Sequence, residues 1–270
     1  MRTAVVTYAP NISWLFPELP FRERPGEVAR LGFSAIEFGF PSHADLDALR
    51  VTREELGLKI VLFNQDVPVW DRVNRGYLVD PSRKAEFKHK LDEALHIAES
   101  LEVQKIMLPA GVELPGMTRE QQRECMLDNL SYAAPLAAEA GVLLTIEMLN
   151  PMDNPGYFLT SSQEAIEIIR QVDHPQVRFQ FDTYHLQMME GNLAQTLRQN
   201  IAWIGHIQFA DYPGRHEPGT GEIDFVQLSA AIEESGYEGS IGLEYKPLAA
   251  GPGALQWALP VVQSSAVGRK

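Results

Sequence analysis

The sequence of 270 residues is poor in cysteine, in positive charge and in long apolar runs. Its one cysteine, Cys125, excludes a disulfide framework and a cysteine-built zinc site. Cys125 falls in the helical pattern Arg123–Ala140 and reads as packing. No stretch of 18 apolar residues occurs, so no membrane-crossing helix is expected. The opening MRTAVVTYAPNISWLF has no signal-peptide core, and a cytoplasmic protein is the expectation. With 23 Lys and Arg against 36 Asp and Glu, the formal net charge is −13. That balance argues against nucleic acid or an anionic membrane as a partner. It does not exclude a small anionic ligand, because a few local arginines outweigh a distant field. Linkers, low-complexity tracts and sequence repeats are missing as well. What remains, 45% apolar and 22% charged residues, is the composition of an ordinary globular chain with one large core.

What is present is a regular alternation. Strand-like runs fall at Thr3–Tyr8, Ala35–Phe38, Leu58–Phe63, Gln104–Leu108, Leu143–Glu147, Val177–Phe181, Ile204–Phe209 and Ser240–Tyr245. Between them lie helical patterns over Gly26–Leu31, Ala44–Leu56, Pro81–Leu101, Thr118–Ala140, Ser161–Gln171, Leu193–Asn200 and Asp224–Ser235, with a last helix over Ala254–Val262. Eight βα units without a composition break predict a single (β/α)₈ TIM barrel, one domain spanning residues 1–270. Its reaction site is expected at the C-terminal ends of the strands.

The later strands show where the chemistry should be. In the fifth, Thr145 and Glu147 alternate with Leu144 and Ile146. In the sixth, Arg178, Gln180 and Asp182 alternate with Val177, Phe179 and Phe181. In the seventh, His206 and Gln208 share one side; in the eighth, Ser240, Gly242 and Glu244 do. Strands covered by helices should be apolar on that face, so the polar face must be the barrel interior. Glu147, Asp182, Gln208 and Glu244 then converge at one rim. Four oxygen donors there suit a hard divalent cation, Mg²⁺ or Mn²⁺. Without one, three neighbouring carboxylates would repel, and at least one would protonate. A single polar residue at a strand end commonly hydrogen-bonds within the interior; four in register are harder to explain that way. His185, three residues past Asp182, is placed to lean over the same rim, and His206 one layer deeper reads as support for a ligand. Arg75, Arg215, His216 and Lys246 are the basic candidates for gripping a substrate. Glu37 and Asn64, ending the second and third strands, are further candidates. Tyr8, Trp14 and Phe40 are placed to wall the pocket against water.

Six stretches carry a family resemblance: FDTYHLQMMEGN, GHIQFADYPGRHEPGTGEIDF, GLEYKP, IEMLNPMDNPGYFL, AIEFGFP and NRGYL. The chain resembles the hydroxypyruvate isomerases, within the xylose-isomerase-like barrels, most strongly over 141–247. The resemblance implies an acid/base pair at Glu147 and Glu244 and metal positions at Glu147, Asp182, Gln208 and Glu244. It also implies a small hydroxy-oxo acid or short sugar as substrate. Hydroxypyruvate and tartronate semialdehyde would interconvert by proton transfer through an enediolate stabilised by the cation. The segment Asp66–Arg75 departs from the family pattern, which leaves chain length open. A 2-oxo-tetronate isomerase or ketose 3-epimerase on the same scaffold is the nearest alternative, and a non-catalytic sugar-acid binding protein a remoter one. A multi-zinc nuclease would need more clustered histidine than the seven scattered here, and a basic groove. A glycosidase would have no use for Asp182 and Gln208. The sequence leaves a homo-oligomer open.

Overall fold

A computed structural model of the chain describes residues 6–40, 42–67, 70, 71 and 73–260. Eight parallel strands form one sheet: β1 (Thr7–Pro10), β2 (Ala35–Phe38), β3 (Lys59–Asn64), β4 (Lys105–Met107), β5 (Leu143–Glu147), β6 (Val177–Asp182), β7 (Ile204–Phe209) and β8 (Ser240–Leu243). Their order, β1-β8-β7-β6-β5-β4-β3-β2, follows the chain around a ring. A parallel bridge between Asn11 and Glu37 brings the first and last strands of that series together. The result is a nearly closed (β/α)₈ barrel. Eight helices run between the strands: α1 (Arg24–Arg30), α2 (His43–Leu56), α3 (Lys84–Leu101), α4 (Arg119–Glu139), α5 (Ser162–Val172), α6 (Thr183–Met189), α7 (Leu193–Asn200) and α8 (Phe225–Ser235).

Contacts divide the chain into two compact units. One comprises Met1–Val61, Asp182–Ala202 and His206–Lys270; the other comprises Leu62–Phe181 and Trp203–Gly205. Strands β3, β6 and β7 each carry residues of both. In the second unit the helix-facing side of the strands is hydrocarbon: Leu144, Ile146, Val177, Phe179 and Phe181 are buried. The opposite side is polar and equally buried, and it is satisfied internally. The Thr145 hydroxyl donates to Gln180 Oε1 at 3.0 Å, and Gln180 Nε2 donates to Glu147 at 3.1 Å. Pairing of this kind is what permits polar atoms in a core, since a lone buried hydroxyl or amide costs on the order of 1–3 kcal/mol.

The helix starts follow local chemistry. Thr118 and Gln121 form a reciprocal capping box ahead of α4, and Asp224 accepts from Gln227 N to open α8. Three boundaries differ from the sequence expectation. β1 lies later than Thr3–Tyr8, running to Pro10, and residues 3–5 fall outside the described residues. β8 stops at Leu243, so Glu244 lies just beyond the ladder. The segment expected as a helix over Ala254–Val262 is instead a 3-10 turn at Gly251–Leu255 and further turns, with 261 and 262 outside the described residues. One element was not anticipated at all. Helix α6 begins directly after β6, because the Asp182 carboxylate accepts from Tyr184 N and His185 N and so caps it. Among the described residues no helix is long and apolar enough to cross a membrane.

Candidate active site

The first unit gathers seven of the residues singled out from the sequence. Glu37 ends β2, Asp182 ends β6, Gln208 lies on β7 and Glu244 follows β8, with His185, Arg215 and Lys246 on adjoining segments. The deepest is Glu37, which is 0% exposed. Its Oε1 accepts from Gln208 Nε2 at 2.7 Å and from Asn11 Nδ2 at 3.1 Å, while Oε2 lies 2.7 Å from His206 Nε2. Glutamine 208 and Asn11 reach upward as well: their amide nitrogens donate to Glu244 Oε2 at 2.6 and 3.1 Å. Residue 242 must be glycine for this to exist. A Cβ there would fall 2.2–2.4 Å from the Glu37 carboxyl atoms.

Above this layer sits Arg215. Its Nη2 donates to Glu244 Oε1 at 2.7 Å and to Asp182 Oδ2 at 3.2 Å. The guanidinium lies over the Trp14 ring at 4.6 Å and the Tyr184 ring at 5.4 Å from the centroids. Two aromatic faces and two carboxylates thus hold one cation in a fixed place. The backbone of Arg215 is in the left-handed region, with φ of 58°, an uncommon state for a residue with a Cβ. Its carbonyl accepts from Lys246 N at 2.7 Å. The Lys246 side chain is exposed, so this residue is attached to the site through its backbone.

Burial acts on all three titratable groups. It pushes the Glu244 carboxyl up to about 7, with the charges of Asp182 and Glu37 adding to the rise and Arg215 and Gln208 opposing it. Burial also raises the Asp182 carboxyl, against Arg215 and the two capping N–H groups. His185 is buried, and its imidazole is held well below its ordinary value, first by burial and then by Arg215. A neutral imidazole at neutral pH is the form that coordinates a metal or accepts a hydrogen bond.

The loop carrying Arg215 is braced from below by Asp211, a residue the sequence reading did not single out. Its carboxylate accepts from the backbone N–H of Tyr212, Gly219, Gly221 and Ile223 at 2.8–3.1 Å. Glu217 accepts from Leu248 N with both oxygens, tying the same loop to the segment after Glu244. His216 contributes through Nδ1, 2.7 Å from the Lys246 carbonyl.

The second unit holds Asn64, Arg75 and Glu147. Glu147 ends β5 and is buried; it stands opposite Gln180 in the β5–β6 register, and Asp182 is the next residue on that face of β6. Arg75 donates to the Asp71 carbonyl at 2.8 Å and to the Asn154 amide oxygen, and its guanidinium lies over Trp70 at 5.5 Å. Asn64 ends β3 in register with Met107 and is half-buried.

Asn11 is the functional residue the sequence reading missed. The strand was expected to end at Tyr8, which put Asn11 in a loop, whereas the bridge to Glu37 makes it the last inward position of the first strand. The asparagine directly after the Ala9–Pro10 strand end was the only available signal. A resident divalent cation suits the donor set. Carboxylate, amide and neutral imidazole groups are the ligands Mg²⁺ or Mn²⁺ accept, and the guanidinium between Asp182 and Glu244 shows that this point calls for positive charge.

Comparison with known proteins agrees with the geometry. Residues 25–261 match the family model described as xylose isomerase-like TIM barrel. The hydroxypyruvate isomerase of Escherichia coli (strain K12) is 36% identical over 256 residues, covering 95% of this chain and 99% of that one. The 2-oxo-tetronate isomerase of Cupriavidus necator is 37% identical, covering 94% of this chain and 97% of its own. Among solved structures, AP endonuclease, family 2 from Brucella melitensis superposes with a TM-score of 0.91 at 34% identity, covering 94% of this chain and 98% of that one.

Proposed function

Because the chain belongs to the xylose isomerase-like TIM barrel family, among relatives named as isomerases, we propose that it interconverts hydroxypyruvate and tartronate semialdehyde. The reaction moves one proton between neighbouring carbons: it leaves C3 of hydroxypyruvate and returns to C2, while the hydroxyl proton passes from the C3 oxygen to the C2 oxygen. Glu147 and Glu244 are assigned to the carbon-bound proton, one removing it and the other returning it. The position of Glu244 near neutrality supports this, since a group poised at about 7 both takes and gives a proton at working pH. Glu147, Asp182 and His185 could hold a metal ion, with Gln208 and Glu244 as further donors. A Mg²⁺ or Mn²⁺ ion bound there would supply positive charge to the two neighbouring substrate oxygens. Arg215 steadies the carboxylates it bridges, and Arg75 is assigned to the substrate carboxylate. Trp14 and Tyr184 keep water from the guanidinium and the mouth. Both units contribute to this assignment, so residues 1–270 act as one catalytic domain.

The observation that carries the proposal is the grip of one guanidinium on two buried carboxylates from different strands, Asp182 and Glu244. A second reading keeps the same chemistry with a substrate one carbon longer, a 2-oxo-tetronate, as the Cupriavidus necator relative is named for. The loop after β3, where the family pattern breaks, is the segment that would decide between them. The deciding experiment incubates the protein with Mn²⁺ in heavy water and a panel of three- to six-carbon 2-oxo acids and ketoses. Deuterium at the carbon next to the carbonyl, greatest for hydroxypyruvate, is the expected result. Exchange greatest for a four-carbon acid selects the second reading, and no exchange with any member removes both.

A further inference from the structure

We infer that Glu37 is a positioning residue: its sealed carboxylate decides which end of the Gln208 amide faces the cation donors. The inference rests on the isomerase reading above and goes beyond it, because Glu37 itself touches no substrate. Three observations carry it. Glu37 is 0% exposed, and its Oε1 takes the amide nitrogens of Gln208 and Asn11 at 2.7 and 3.1 Å. The same two nitrogens also donate to Glu244 Oε2. Room for the Glu37 carboxyl group exists only because residue 242, in register with Gln208 on the next strand, has no Cβ.

The chemistry follows from what an amide offers. A glutamine binds a hard cation through its oxygen alone, and its NH₂ group only donates. The two ends of the amide have nearly the same shape, so packing does not distinguish them; hydrogen-bond partners do. Carboxylates at Glu37 and Glu244 draw the NH₂ group to one side, which turns the oxygen to the other. Outer-layer groups of this kind commonly govern metal affinity through the ligand they orient. His206 completes the arrangement. Its Nε2 shares one proton with Glu37 Oε2 at 2.7 Å, which keeps the carboxyl plane from rotating away from Gln208.

Two conservative variants separate orientation from charge. Glu37→Gln loses the charge but keeps an oxygen that can accept from Gln208 and Asn11, with its own NH₂ turned to His206. Glu37→Asp keeps the charge but withdraws the acceptor by one methylene. Mn²⁺ affinity is read by calorimetric titration of the full chain, with thermal melting to confirm that each variant is folded. The expected order is wild type, then Glu37→Gln within about 3-fold, then Glu37→Asp weaker by about 10-fold or more. A double-mutant cycle with Gln208→Met sharpens this: Glu37→Asp adds little further loss once the amide is gone. For the reaction, kcat is expected to fall in the same order while KM stays within about 3-fold. A wild type that binds Mn²⁺ and turns over substrate, but in which Glu37→Asp binds Mn²⁺ as well as or better than Glu37→Gln, overturns this inference alone. Additive losses in the cycle do the same. A wild type that neither binds Mn²⁺ nor exchanges deuterium overturns the isomerase reading, and this inference falls with it.

Discussion

Two arginines, one in each unit, are built in the same way and serve different neighbours. Arg215 lies over Trp14 and Tyr184 and bridges the carboxylates of Asp182 and Glu244. Arg75 lies over Trp70 and is anchored through neutral oxygens, the Asp71 carbonyl and the Asn154 amide. The loops beneath them differ too. The Arg215 loop is caged by Asp211 through four backbone N–H groups, whereas Trp70 and Val73 in the Arg75 loop are exposed. The lesson is that aromatic stacking fixes a guanidinium in place but does not fix its role; the acid or amide at its tip does. Arg215 belongs to the groups that do the chemistry, and Arg75 to a surface that selects what enters.

Substitutions should divide along that line. The largest effect is expected at the acids themselves: Glu244→Gln or Glu147→Gln lowers kcat by about 10²–10⁴-fold with Mn²⁺ present, measured by deuterium exchange. Near-full activity in both variants would remove the acid/base assignment. Next, Arg215→Met is expected to lower kcat by about 10²-fold, the loss diminishing when Glu244 is already Gln, because the two act as a unit. Arg75→Met should instead raise KM for a 2-oxo acid by about 10-fold with kcat within a few-fold. If both arginines shift KM alone, the contrast between them fails.

Smaller effects are structural. Asp211→Asn weakens the cage under the Arg215 loop, and a loss of about 2–3 kcal/mol in urea unfolding is expected, since charged acceptors of backbone N–H groups are replaced by one neutral oxygen. The last prediction concerns pH in chelator-treated protein. The folded Glu244 carboxyl is raised to about 7 from its ordinary value near 4.5, so between those values the folded state holds a proton the unfolded state has lost. Stability therefore falls as pH rises through that window, by on the order of 2–3 kcal/mol, and the full penalty is present above about 7. Glu244→Gln should flatten the slope. A wild-type curve that is flat or rises from pH 4.5 to 7 would contradict it.

Much of the barrel was legible because strand periodicity is local. The alternation in VRFQFD and IGHIQF places Gln180, Asp182, His206 and Gln208 on one face without knowledge of any partner. Helix α6 was not legible, since its start depends on the Asp182 side chain turning back onto two N–H groups, and FDTYH reads equally well as a loop. Glu37 was placed inward correctly by period, but its depth was not. The sequence suggested a residue that meets substrate, whereas the fold surrounds it with Asn11, His206 and Gln208 from strands far apart in the chain. Asp211 and Asn11 were missed for the same reason: each has partners, not a pattern.

By itself the sequence determined the alternation of eight strands with helices, the polar interior face of the later strands and the acids at their ends. Those are consequences of side-chain period and composition within a few residues of chain. Only the tertiary structure decided that Asn11 and Gln208 share Glu37 and Glu244, that Arg215 spans Asp182 and Glu244, and that Gly242 leaves the space Glu37 fills. These are agreements between residues up to 233 positions apart, and hydrogen-bond partners at that distance are chosen by the closing of the sheet.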